Sequence, residues 1–286
     1  MNNMKKIAAT AMSLAAMTAA AQINNANAQP QGRIEVYDFN TFKLHVYNSN
    51  DVMGDASYII EGADSLITME EPLFKVNATE FQAYLASLEK PVCKRVADYH
   101  IGSTGNHPIV MAQGMPAFTK GPIYGGMMKG FQQGFGDSMT DLPTGEESEV
   151  AFGSTEVWDG IHFVFNHGSS SDFPGASILI GGKVWYSHWA PAKAHMNALQ
   201  FSSPAAVEAE LAAAEAALTS GAELYIGGHG GAAEQSAMQF KADYLKTMQR
   251  AAAENSTAAG FAKALKAAYP NLPGAEGVDA VAAKLY

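Results

Sequence analysis

The sequence predicts an α/β protein of the α+β kind, and three observations carry that reading. Short runs rich in β-branched and aromatic residues fall in two blocks, one from about residue 34 to 69 and one from about 149 to 184. Amphipathic helical patterns separate and follow these blocks. Hydrophobic residues make up 48% of 286 residues and there is only one cysteine, so a large core rather than disulfides must hold the fold.

In chain order, the N-terminus reads as a secretory leader. Lys5 and Lys6 precede an Ala/Met/Leu run over 7–21, and Ala26-Asn27-Ala28 offers a small-x-small cleavage site. The run is too short to span a bilayer. The expectation is therefore a signal peptide at 1–28 cleaved after Ala28, a single domain over 29–286, and a periplasmic or secreted location with no stable membrane insertion. The net charge of −10 becomes more negative once the two lysines leave, which argues against nucleic acid or an anionic membrane as partner. A small-molecule ligand or substrate is the expected partner.

Residues 34–37, 42–47, 56–60 and 65–69 read as strands separated by the turns Asn48-Ser49-Asn50-Asp51 and Glu61-Gly62-Ala63-Asp64. Asn77-Ala78-Thr79-Glu80 has the form of a capping box, and Phe81, Tyr84, Leu85 and Leu88 follow at helical spacing. Lys90-Pro91 ends that helix. The next strand, 92–99, holds Cys93, read as a small buried hydrophobe. Residues 124–139 carry spaced glycines with Met and Phe but no Gly-Lys-Ser/Thr. That pattern suits a helix or lid packed on apolar surface better than a phosphate loop.

In the second block His162 alternates with apolar neighbours and reads as a face residue without chemistry. Gly181-Gly182 marks a hairpin. Ser203-Pro204 caps an Ala/Glu-rich helix to Leu218. The stretch 221–231, Gly-Ala-Glu-Leu-Tyr-Ile-Gly-Gly-His-Gly-Gly, sets a short strand before a histidine among glycines. From about Ala233 the chain reads as helix, with Met238, Lys241, Tyr244, Leu245 and Met248 on one face and Ser256 capping a last amphipathic pair.

Six of the eight histidines fall at strand ends or in loops: His100, His107, His167, His188, His195 and His229. Neutral imidazole suits zinc, and a catalytic zinc takes about three protein ligands plus a water. No pair has helical H-x-x-x-H spacing, so spacing alone leaves a metal site and a set of hydrogen-bonding histidines equally open.

The order of these motifs resembles the metallo-β-lactamase-fold superfamily of hydrolases over about residues 34–251. Tyr58 to Ile67 is similar to the family's opening hairpin, and Lys90-Pro91-Val92 leads into His100-Ile101-Gly102-Ser103, where the family carries its H-x-H-x-D-H metal loop. His167 to Ser177 resembles the next His loop, and Gly182 to Tyr186 the strand that ends in a bridging Asp. Gly227-Gly228-His229-Gly230 resembles the closing Pro-Gly-His-Gly. The resemblance implies an αββα sandwich, two mixed sheets between outer helices.

The ligand set departs from that pattern. Only His100 of the H-x-H-x-D-H cluster is present, with Asp98 before it. Asp172 stands where a His precedes the Pro-Gly turn, unless His167 serves, and Ser187-His188 stands where the bridging Asp is expected. The resemblance thus implies an atypical metal-dependent hydrolase of ester, lactone or amide bonds, not an ordinary β-lactamase. One divalent metal (zinc, iron or manganese) would be held by His100, His188 and His229 with His167 or Asp172, and His107, His195, Asp98 and Ser187 would line the pocket. Two other readings remain open. One is a metal-free pseudoenzyme or periplasmic small-molecule binding protein without cofactor. The other is a metal-free enzyme using Ser169, Ser170 or Ser171 near His167, although no G-x-S-x-G elbow is present.

Overall fold

The computed structural model describes residues 32–168, 175–201 and 203–286. The leader and its cleavage site, Asp172 and Ser169 to Ser171 lie outside them.

Period-two alternation builds one sheet from β1 (Arg33–Asp38), β2 (Lys43–Asn48), β3 (Ala56–Glu61), β4 (Leu66–Met69), β5 (Val92–Val96), β6 (Ile109–Ala112) and β7 (Glu147–Val150), hydrogen-bonded in that order. The first four strands run antiparallel, and β4, β5, β6 and β7 are parallel neighbours. Leu44, Val46, Tyr58, Ile60, Ile67 and Met69 point inward, while Tyr47, Ile59 and Leu66 point outward. The outward set packs on Phe81 and Leu85 of helix α1 (Lys75–Ser87).

The second sheet contains β8 (Thr155–Trp158), β9 (Ile161–His167), β10 (Ala176–Ile180), β11 (Val184–Tyr186), β12 (Leu224–Gly227) and β13 (Gly231–Glu234), again in sequence order. Its only parallel pair is β11 with β12. Phe163, Phe165, Ile178, Ile180, Val184, Tyr186 and Ile226 face the first sheet. Trp185 and Tyr225 face outward onto α4 (Pro204–Thr219), α5 (Gln235–Glu254), α6 (Ala258–Ala268) and α7 (Val278–Leu285). The layers are therefore helix, sheet, sheet, helices, an αββα sandwich with mixed sheets. Two further helices, α2 (Met115–Thr119) and α3 (Pro122–Phe135), join β6 to β7. No described helix is long and apolar enough to cross a membrane.

Several local features match their sequence signals. Gly181 and Gly182 take φ of 57° and 66°, the left-handed pair a tight hairpin needs. Ser203 caps α4 by accepting from the Ala206 amide at 3.2 Å. Met238, Lys241, Tyr244, Leu245 and Met248 are all buried on α5, and His162 is exposed on β9.

Four details differ from the sequence reading. Helix α1 starts at Lys75 without a side-chain cap. Asn77 is instead buried and spends its amide on the Tyr47 hydroxyl (3.1 Å) and the Ser49 carbonyl (2.8 Å), a tertiary tether that outcompetes capping. Cys93 is exposed rather than buried, because β6 meets β5 only at Val96 and Val110 and the start of β5 runs past it. Residues 232–234 extend β12 as a hairpin before α5 begins. Thr257, not Ser256, caps α6, accepting from the Gly260 amide.

Helix α3 is glycine-rich on a face with free space. A Cβ at Gly125, Gly126 or Gly130 would meet no atom within 4 Å. Gly126→Ala is therefore expected to stabilise the protein by about 0.5–1 kcal/mol by reducing the freedom of the unfolded chain. A rise in the urea midpoint at unchanged slope checks it.

Candidate metal centre

The centre forms where the two sheets meet, from segments that follow strand ends: 70–71 after β4, 97–101 after β5, 187–189 after β11 and 228–230 after β12. Short strands deliver the chain to one rim, and the loops beyond them carry the polar side chains. The rim is stapled by Tyr58 on β3. Its buried hydroxyl donates to the Gly227 carbonyl (2.6 Å) and receives the Gly227 amide (3.1 Å). The Ala56 amide reaches the Gly228 carbonyl at 2.9 Å. The turn carrying His229 is thus fixed against the first sheet by hydrogen bonds.

His100, His188 and His229 converge there, one ligand atom from each lying within 4.8 Å of the others. Their ring centroids are 5.3 Å (His100–His188), 4.7 Å (His100–His229) and 4.9 Å (His188–His229) apart. Gly228 permits this approach. A Cβ there would sit 2.9 Å from a Glu70 carboxylate oxygen and 3.2 Å from both the His100 and His188 rings.

Acids buried behind the histidines orient them. His229 Nδ1 lies 3.0 Å from Asp55 Oδ1 and 3.2 Å from the Met53 carbonyl, which leaves Nε2 free to bind. His229 also stacks on Trp189 at 4.4 Å. Glu70 accepts the amides of Asp98 (2.5 Å) and His100 (3.3 Å), so its carboxylate shapes the loop that presents His100. Glu70 has φ of 55°, a left-handed conformation that a non-glycine residue holds at a cost of about 1–3 kcal/mol. The neighbouring Glu71 takes Thr68 Oγ1 at 2.6 Å and lies 3.1 Å from Arg95 Nε.

The electrostatics follow from this burial. Burial, reinforced by the other two imidazoles, pushes His188 well below the ordinary histidine range. Its Nδ1 is buried and has no hydrogen-bond partner among the described residues. Burial alone would lower His229, but the Asp55 hydrogen bond and charge more than offset it and raise its pKa. Asp55 is held below the usual carboxylate range: burial opposes this, and His100 and His229 outweigh it. Asp98, buried beside Glu70, is raised well above that range by desolvation and by Glu70. It accepts the Ala176 amide at 3.2 Å and lies 3.4 Å from the Tyr186 hydroxyl.

A cavity of about 340 Å³ opens onto the cluster, and His100, His188, His229, Asp55, Asp98 and Ser187 all line it. Helix α3 contributes Ile123, Tyr124, Met127, Met128 and Phe131 to its lining. The Met/Phe-rich stretch read as an apolar-packed helix or lid thus forms one side of the site.

The remaining sequence candidates lie elsewhere. His107 is exposed in the loop before β6 and does not line the cavity. His195 does not line it either. It is 6% exposed, under the helical layer, with Nδ1 2.7 Å from the Tyr244 hydroxyl, a core histidine. Both were expected to line the pocket; loop exposure removes the first and the helices cover the second. His167 is exposed at the end of β9, bonded to the Gly168 carbonyl and packed on Phe152, outside the three-histidine group. The sequence reading missed Asp55, Glu70 and Trp189. The available signals were Asp55 between a turn and an apolar strand, and Glu70-Glu71 directly after the apolar run of β4.

Burial holds His195 below its ordinary value of 6.5. As pH falls through that value the unfolded chain takes a proton that the folded chain refuses, so this residue costs stability on the acid side. The stability difference between wild type and His195→Gln is expected to shrink as pH falls from about 7 to about 5. Denaturant titrations of both proteins at each pH measure it.

No protein-family model matches the chain, and a search of curated proteins gives no match. Solved structures do match. The chain has the metallo-β-lactamase fold. DIM-1 metallo-β-lactamase, in a structure exposed to ceftazidime, is 12% identical with a TM-score of 0.51, covering 77% of this chain and 99% of that one. The stereoselective inverting sec-alkylsulfatase Pisa1 from Pseudomonas sp. is 14% identical with a TM-score of 0.56, covering 91% of this chain and 48% of that one.

Proposed function

We propose that the chain is an atypical single-metal hydrolase of ester, lactone or amide bonds, acting outside the cytoplasm. One observation carries the reading: three histidine ligand atoms lie within 4.8 Å of one another at the floor of a cavity. The donor set fits a divalent ion, zinc first, with iron or manganese as alternatives. His188 stays neutral, its Nδ1 lacks a described partner, and Asp55 holds His229 by the ring nitrogen opposite the free one. Bound there, such an ion supplies Lewis acidity and lowers the pKa of a water molecule.

The chain's own groups do the rest. Asp55 Oδ1, ionised, is 3.0 Å from His229 Nδ1 and 3.9 Å from His100 Nε2, and orients and charge-balances both rings, while Glu70 Oε2 lies 3.7 Å from His100 Nδ1. Glu70 keeps His100 in place through its amide, and α3 with Trp189 adds apolar surface to the cavity lining. The leader-like N-terminal sequence supports export.

A second reading, a metal-free small-molecule binding protein, has one observation in its favour: Asp55 Oδ1 lies 3.0 Å from His229 Nδ1, so the pair can balance charge without an ion. Elemental analysis of protein purified without a His-tag or chelator separates the two. The hydrolase reading expects about one metal ion per chain, together with hydrolysis of a neutral ester that chelator abolishes and zinc restores. Protein that takes up no metal on reconstitution would sink it.

A further inference from the structure

Among the described residues, the lining of the cavity that holds the cluster has no cationic side chain beyond its histidines. Its described lining includes the acids Asp55, Asp98 and Glu210 and neither lysine nor arginine. The nearby Lys241 is paired with Glu210 at 2.8 Å and directs its remaining reach to the Trp189 carbonyl at 3.5 Å. In the metal-free cavity an anion would meet no lysine or arginine of the described lining, and His229 is already faced by Asp55 at 3.0 Å, so shedding hydration there is costly.

The walls point the same way. Met127, Met128 and Phe131 give an adaptable apolar surface in the same lining as the histidines. Among the described residues seven large hydrophobic side chains are exposed, and three of them, Val52 (38%), Ile123 (42%) and Leu199 (42%), lie on the cavity lining. Three such residues around one opening form an apolar rim that a soluble surface otherwise avoids. The volume of about 340 Å³ lies at the small end for ligand sites.

We propose that the cavity selects an uncharged small molecule with an aliphatic or aromatic arm, the arm lying along α3 and the polar carbonyl facing the histidines, and that it discriminates against carboxylates and sulfates. This names the substrate class of the site proposed above and rests on that reading for the bond cleaved, but not for the binding.

The test is calorimetric titration of chelator-treated, metal-free protein with octanamide, octanoate and acetamide. Octanamide is expected to bind at least about tenfold tighter than either of the others, because octanoate must shed its hydration unpaired and acetamide lacks the arm. The double variant Ile123→Ser/Leu199→Ser, changed at exposed positions that leave the core intact, is expected to lose most of the preference over acetamide. Octanoate binding as tightly as octanamide overturns the proposal. So does equal affinity for acetamide, or no octanamide binding at all. Because no metal is present, a failure here leaves the metal reading standing, and a failure to bind zinc leaves this result untouched.

Discussion

His229→Ala is expected to weaken zinc binding by more than about 100-fold, since changing even the outer partners of metal-bound histidines costs 10–100-fold. His229 is the best-supported member of the cluster. Asp55 and the Met53 carbonyl fix its Nδ1, Trp189 stacks on its ring, and Tyr58 pins the turn that carries it. Alanine removes the ligand atom while the turn retains its backbone hydrogen bonds, so the variant should stay folded. His188→Ala should behave similarly, whereas His167→Ala, exposed at the end of β9, should bind zinc like the wild type. Competition titrations against a chromophoric chelator, with circular dichroism to verify folding, read all three. Unchanged affinity in both His229→Ala and His188→Ala would remove the basis for a shared site.

The largest stability effect is expected from Lys241→Met, a loss of about 3–5 kcal/mol. Lys241 and Glu210 form a 2.8 Å ion pair with side chains only 5% and 7% exposed, joining α5 to α4. Removing the ammonium leaves a carboxylate buried without its counter-charge. The double variant Glu210→Gln/Lys241→Met removes both charges and is expected to recover most of the loss, since a buried pair taken as a whole adds little over neutral groups of similar shape. Urea denaturation of the single and double variants gives the coupling. A single variant as stable as the wild type would show that water reaches the pair.

Alternation and helical spacing made most strands and the long helices legible before the structure, because those signals depend on near neighbours alone. The limits appear where a distant partner decides the outcome. Asn77 has the sequence context of a cap, yet Tyr47 and Ser49 recruit it from another element. Residues 232–234 pair with β12 because that edge needs a partner. At the site, the sequence offers His100, His188 and His229 together with His167 and Asp172 as ligands, and nothing in their spacing separates the three that converge from the other loop histidines. That distinction depends on which loops the two sheets bring to one rim and on what the helical layer covers. Asp55 and Glu70 were missed for a related reason. Carboxylates usually lie at surfaces, and only the folded chain shows these two buried with imidazole rings to face.

His100 reaches the cluster from the first sheet, while His188 and His229 reach it from the second. An ion held by all three would act as a cross-strap between the halves of the sandwich, so its affinity and the fold's resistance to opening would be one linked quantity. Core changes far from the cavity, at Phe163 or Ile60 where the sheets interlock, would then reach the histidines by altering the gap between the sheets while leaving every contact at the rim chemically intact. In a chain without disulfide bridges, the chemistry of such a centre and the closure of the sandwich would have to evolve together.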